Sequence, residues 1–196
     1  MKEILLMDAI DALMSRRSYA RCNLINPAPN KTQIETLLQA AMSVPDHGNL
    51  KPWRFIVVTG QGIRDLAMLV KQKYASTMSE ENLDAFVKEI SATPMMLFVC
   101  SDLALNHRVS VLDQQLAGGA ACEHILLAVH ALGFAGIWHT SEADEDLRQL
   151  LNLKIEDEVL GVLSIGTPKK TSKAKRKSFS GYTQTWDREN GLKTWE

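Results

Sequence analysis

Apolar residues at Leu6, Ile10, Leu13 and Met14 fall on one face of a helix that stops near Arg16. Asn26-Pro27-Ala28-Pro29 follows as a rigid connector, because proline fixes φ and withholds a backbone donor. Asn30 then caps a second helix. Gln33 stands in the capping-box position, and Ile34, Leu37, Leu38, Ala41 and Met42 share one face. Pro45 ends that helix and opens a polar loop, Pro45-Asp46-His47-Gly48-Asn49-Leu50-Lys51-Pro52-Trp53. The pattern beyond it predicts a strand over 53–58, a turn at Gly60-Gln61-Gly62, and helices from Ile63 to about Tyr74 and over 80–90. Met95 to Cys100 is wholly apolar, as expected of a central strand buried on both faces.

The longest periodic signal runs from Val109 to Leu132. Its middle, Leu116-Ala117-Gly118-Gly119-Ala120-Ala121-Cys122, is small on nearly every side, which predicts a central helix packed all round. Two glycines inside a helix cost roughly 1 kcal/mol each relative to alanine, so tight packing or a ligand against the backbone must offset them. Gly133-Phe134-Ala135-Gly136-Ile137-Trp138 leads into a short strand. Residues 144–151 read as a helix that Ser141 or Asp144 caps, 158–165 as a strand, and Gly166-Thr167-Pro168 as a turn. Helices and strands mix without a regular βαβ rhythm and without repeats, so the class is α+β.

At 196 residues the chain suffices for one domain with a real core. Residues 1–168 form that domain, and 169–196 read as a basic C-terminal extension belonging to it. Lys169, Lys170, Lys173, Lys175, Arg176 and Lys177 place six positive charges in a run without an acidic residue, against a total of −1 for the whole chain. Such a run is a solvated surface segment unless the fold returns it to a site. Three scattered cysteines, Cys22, Cys100 and Cys122, argue against a disulfide scaffold and a cysteine-ligated zinc, and Cys100 and Cys122 read as packing thiols. Lys2, Glu3 and Asp8 interrupt any leader-like apolar run, and no stretch is long enough to span a bilayer. A cytoplasmic protein without membrane or metal is the expectation. His124 and His130 are six apart and form no i, i+4 ligand pair.

Three constellations carry chemistry. Arg16-Arg17-Ser18 offers planar bidentate donors and a hydroxyl to a phosphate. The same residues also suit a helix C-terminus, with arginines facing the negative end of the dipole. His47, Asn49 and Lys51 can meet a polar heterocycle, or Asp46 and Asn49 can serve turn geometry alone. Trp138-His139-Thr140-Ser141 can present amides and hydroxyls to a ring edge, or simply end a strand and cap a helix.

Taken in order, these pieces resemble the nitroreductase family of FMN-dependent NAD(P)H oxidoreductases, most closely its compact, YdjA-like branch. The markers are Arg16-Arg17-Ser18, Ala40-Ala41-Met42-Ser43-Val44-Pro45-Asp46-His47, Lys51-Pro52-Trp53-Arg54-Phe55, Gly133-Phe134-Ala135-Gly136-Ile137-Trp138 and Gly166-Thr167-Pro168. The likeness covers about Met7 to Pro168. It implies a sandwich whose central mixed or antiparallel sheet is flanked by helices, in an intertwined homodimer with two FMN sites at the interface. It further implies that Arg16, Arg17 and Ser18 hold the FMN phosphate and ribityl chain. Ser43 and His47 would approach the same flavin from the other subunit, with Asn49 in the same loop. Trp138, His139 and Thr140 would line the isoalloxazine side, and Arg176 or Lys177 would reach the phosphate. Ala128, Val129, His130, Ala131, Leu132 and Gly133 fall where the compact relatives meet the nicotinamide cofactor.

The implied activity is ping-pong hydride transfer from NAD(P)H through bound flavin to a small oxidant such as a nitroaromatic, quinone or enone. Two positions depart from the compact pattern: Ser43 stands where a basic residue is usual, and His139 where an arginine is. These departures keep a second reading open, a flavin-binding sensor or carrier without efficient turnover. The basic run keeps a remote third, a nucleic-acid-binding module, although the acidic balance elsewhere opposes it and no nucleic-acid partner is expected.

Overall fold

The computed structural model describes residues 7–141 and 145–195. Leu6, in the first apolar stripe, and Asp144, a candidate cap, lie outside those residues. Helix α1 (Ala9–Ser15) starts at Asp8, whose carboxylate accepts from Ile10 N at 2.9 Å. Helix α2 (Lys31–Ala41) forms both halves of its capping box: Gln33 N donates to Asn30 Oδ1 at 3.0 Å and Asn30 N to Gln33 Oε1 at 2.9 Å. Helices α3 (Gln61–Tyr74), α4 (Glu80–Ser91), α5 (Val111–Ala131) and α6 (Glu145–Leu151) follow. The predicted turn at 60–62 is shorter than expected. Gly60 alone takes the turn, at φ +54°, and Gln61 and Gly62 already belong to α3.

The main sheet runs β1 (Leu24–Ile25), β5 (Val159–Pro168), β3 (Met95–Ser101), β2 (Trp53–Thr59), with β4 (Ala135–His139) on the other edge of β5. All its ladders are antiparallel, which resolves the mixed-or-antiparallel expectation. A single parallel bridge joins Ser18 to Gly136. β5 runs three residues past its predicted end at Ile165. Thr167 and Pro168 pair with Ile25 and Leu24, so Gly166-Thr167-Pro168 is strand. A second sheet, the hairpin β6 (Gln184–Asp187) and β7 (Gly191–Thr194), lies in the tail and was not foreseen.

β3 is buried at every residue, and its alternation divides the core in two. Met95, Leu97 and Val99 meet α2 and α5, while Met96, Phe98 and Cys100 meet α3, α4 and α6. Of the two α5 glycines, Gly118 has a packing reason. A Cβ on Gly118 would fall 2.2 Å from Leu160 Cδ1, so the helix lies too close to β5 for a larger residue. The expectation of all-round packing fails in the first turns of α5. Leu112 is 63% exposed and Leu116 lies open beside it; on neighbouring α1, Ile10 is 65% exposed and Met14 is open too. Among the described residues no helix is long and apolar enough to cross a membrane.

Candidate functional site

The end of α1 and the end of β4 are tied together. Ser18 bridges Gly136 in parallel, and Tyr19 N donates to Gly136 O at 3.1 Å. Residues 16–21 and 136–139 therefore run alongside in the same direction. At about 3.3 Å per residue, His139 lies roughly 10 Å beyond the bridge, level with Arg21. One end of this track is cationic and the other meets a cavity.

At the cationic end, buried Arg16 Nε lies 3.0 Å from Glu123 Oε1 on α5, an ion pair whose angle falls short of a hydrogen bond. Arg17 stacks over Tyr19 at 5.2 Å and donates from Nη1 to Ser172 Oγ at 2.6 Å. Ser172 N also donates to Tyr19 Oη at 3.2 Å, Lys169 Nζ to Cys22 O at 2.6 Å, and Arg176 Nη2 to Arg16 O. The basic segment thus returns to the α1 end, and Lys177 stands exposed beside Arg176. This returning segment brings a third arginine to Arg16 and Arg17.

Ser43 and His47 lie elsewhere. Ser43 Oγ donates to Ala40 O at 2.7 Å and is 3.3 Å from His124 Nδ1. Glu123 takes Arg16 and His124 faces Ser43, and consecutive helical residues point about 100° apart. The α1 end and the α2 end therefore occupy different flanks of α5. His47 is exposed in a short 3-10 turn. Asn49 serves that turn, with φ +57°, and its Oδ1 accepts from Lys51 Nζ at 2.6 Å. Buried Asp46 accepts from Lys51 N at 2.8 Å. Turn geometry thus accounts for Asp46, Asn49 and Lys51, leaving His47 open.

Strand alternation separates Trp138 from His139. Trp138 packs towards α5, against Gly119 and Gly161, with Nε1 donating to Leu160 O at 3.1 Å. His139 and Thr140 face a cavity on the opposite side. The 128–133 segment closes α5 as a Schellman motif. Gly133 N donates to His130 O at 2.9 Å and Phe134 N to Val129 O at 3.0 Å, with Gly133 at φ +83°. Val129 is core, and Ala128 and Leu132 pack on that core. His130, Ala131 and Gly133 remain accessible, and His130 Nε2 is 2.8 Å from Ser15 Oγ.

Two functional candidates carried no signal in the sequence. Glu123 sits inside an apolar helix, and Arg21 follows the arginine motif in an irregular stretch. Only the packing of α1 on α5 and of residues 21–23 on α4 brings them into place. Cys100 and Cys122 are buried as expected, and burial pushes their thiols up to about 11 and about 12.

Burial lowers the His139 pKa, helped by the Arg21 charge and opposed by Glu89; burial also lowers that of His130, helped by Arg16. The unfolded imidazole, with a pKa near 6.5, takes up a proton where the folded one does not. The resulting stability is complete above about pH 6.5 and is lost as pH falls through the lowered folded values. Melting temperature should therefore fall from pH 7 to pH 5. His139→Gln should flatten part of that slope, with His130 supplying the remainder; an unchanged slope would refute the assignment.

The nitroreductase family model matches residues 13–167. The chain belongs to the nitroreductase family. Escherichia coli K12 YdjA, provisionally named an NAD(P)H nitroreductase, is 31% identical over 165 residues, covering 83% of this chain and 89% of YdjA. Among solved structures, a nitroreductase-like family protein from Bacillus cereus superposes with TM-score 0.76 at 18% identity, covering 91% of this chain and 96% of its own. A Desulfovibrio desulfuricans chain, provisionally named a nitroreductase and solved in complex with FMN, gives TM-score 0.70 at 19% identity, covering 90% and 95%. The nitroreductase fold is thus shared across these chains, and the match spans both the arginine motif and β4.

Proposed function

We propose that this nitroreductase is an FMN-dependent oxidoreductase. It passes hydride from NAD(P)H through bound flavin to a small oxidant, of nitroaromatic, quinone or enone type, in ping-pong turnover. The observation that carries the reading is the return of the basic segment to the α1 end, where Arg176 Nη2 donates to Arg16 O and Arg17 Nη1 to Ser172 Oγ. Three arginines and the Ser18 hydroxyl brought to one end of α1 suit a phosphate. FMN, when bound, supplies the hydride chemistry, while the protein supplies position and electrostatics.

Arg16, Arg17 and Ser18 hold the phosphate and ribityl chain, and Arg176 and Lys177 add charge. The main chain of Trp138, His139 and Thr140 meets the ring edge. His130, Ala131 and Gly133 are the accessible part of the nicotinamide surface. Ser43, His47 and Asn49 close the site from a second copy, because within one chain they lie on another flank of α5. The exposed apolar strip on α1 and α5 is the face that a second copy would cover.

The test is the visible spectrum of protein purified without added cofactor, with the chromophore identified by mass. Bound FMN that NAD(P)H bleaches anaerobically, and parallel double-reciprocal plots, are the expected results. A colourless protein that takes up no added FMN would overturn the reading; bound flavin that does not bleach would favour a sensor or carrier. Deleting residues 169–196 should weaken FMN binding and flatten its salt dependence, because Arg176 and its neighbours leave the α1 end. Unchanged affinity and salt slope would show that the tail adds nothing to the phosphate site.

A further inference from the structure

On the face of the sheet away from α5, the helices α3, α4 and α6 leave a cavity of about 500 Å³. Among the described residues its walls are largely apolar, with Leu66, Val70, Phe86, Phe98 and Leu147 forming the body. Two polar groups in it are poorly matched. Arg21 donates from Nε to Ser164 Oγ at 3.1 Å and stacks 6.0 Å from the Phe86 ring centre. No carboxylate among the described residues lies within ion-pair distance of it, and Glu89 acts on it only at longer range. His139 Nε2 is buried without a hydrogen-bond partner. A desolvated charge lacking a counterion and a buried nitrogen lacking a partner each carry a free-energy cost. Ser164 Oγ takes only the Arg21 Nε, and among the described residues the two Nη groups of Arg21 and Nε2 of His139 make no hydrogen bond.

We propose that this cavity binds a small carboxylate with an aromatic or medium-chain apolar body. The carboxylate sits on Arg21 and His139, and the body lies between α3, α4 and α6. A guanidinium fork matches a carboxylate in two parallel hydrogen bonds, and an Nε2–H on neutral His139 adds a third. One unpaired cation suits a monoanion. Among the described residues, Glu89 and Asp146 on the walls outnumber the one other wall cation, Lys73, and so disfavour the double charge of a phosphate. The site is separate from the flavin site proposed above, because the His139 side chain points away from the α5 side where Trp138 packs.

The test uses 2-naphthoate as probe and uncharged 2-naphthylmethanol as comparator, titrated by calorimetry into the FMN-saturated protein. One saturable naphthoate site is expected, with the alcohol at least about tenfold weaker. Arg21→Met should cost naphthoate at least about tenfold while the protein still takes up FMN; Ser164→Ala made alongside it removes the buried hydroxyl that Arg21 otherwise satisfies. Leu66→Trp, which fills the cavity, should abolish binding of both probes. Equal affinity for acid and alcohol, no loss in Arg21→Met, or strict competition between naphthoate and FMN would each overturn the proposal. If the chain takes up no FMN at all, the same titration runs on the flavin-free protein. The two readings therefore fail separately.

Discussion

Replacing Arg16 and Arg17 together by alanine should yield colourless protein, with FMN affinity lowered at least about 100-fold. Each charge-assisted hydrogen bond contributes about 1.5–3 kcal/mol, and about 1.4 kcal/mol is a tenfold change, so losing two brings the effect to two decades or more. The fold should survive. The Arg16–Glu123 pair is partly exposed and adds at most about 1 kcal/mol, and Arg17 spends its contacts on Ser172 and the face of Tyr19. Arg16→Lys separates charge from geometry: it keeps the cation but loses the fork, and an intermediate loss is expected. Glu123→Gln removes the carboxylate that draws Arg16 towards α5, so it should leave FMN binding intact or tighten it. Equilibrium dialysis with FMN at fixed ionic strength measures all three, and an unchanged affinity in the double variant would remove the phosphate role from this motif.

These residues also show where reading from sequence stops. Local rules sufficed wherever a single segment decides its own structure. Asn30 and Gln33 name a capping box and form one; Met95 to Cys100 names a central strand and is buried at each residue. Errors arose where a distant segment decides. Gly166-Thr167-Pro168 has turn composition, yet Leu24 and Ile25, some 140 residues earlier, hold it in the sheet. The β6–β7 hairpin turns through residues 188–190, with Gly191 at φ +70° opening β7, in a stretch whose exposed strands offer no apolar alternation. The same division holds for the site. Arg16-Arg17-Ser18 could be named as a motif, but whether the basic run reaches it depends on contacts such as Arg176 to Arg16 O. Trp138 and His139 read as one unit, and the two faces of β4 send them to opposite sides of the sheet. Membership in the nitroreductase family is legible in the order of the motifs, and the chain is 31% identical to YdjA over 165 residues. Residues such as Arg21 and Glu123 become visible only once helices pack.

That division of the sheet has an energetic consequence that two neighbouring residues of β5 can test. Leu163 is fully buried on the α5 side, in register with Leu97 on β3 and Trp138 on β4. Nothing near it can collapse into the space a truncation leaves: three strands and α5 surround it, and a Cβ on Gly161 would already fall 2.9 Å from Cys122 Sγ. Leu163→Ala should therefore cost about 2–5 kcal/mol, a large fraction of the roughly 5–15 kcal/mol that holds a domain folded. Val162 is nearly as buried, at 7% exposure, but points the other way and lines the cavity between α3, α4 and α6. Val162→Ala enlarges an existing space rather than opening a new one, so it loses chiefly the transfer free energy of its two methyl groups, about 1.5 kcal/mol. Urea unfolding at pH 7 should rank Leu163→Ala below Val162→Ala by at least about 0.5 kcal/mol. Equal losses would mean that the two faces of the sheet are packed alike, and that the cavity closes in solution.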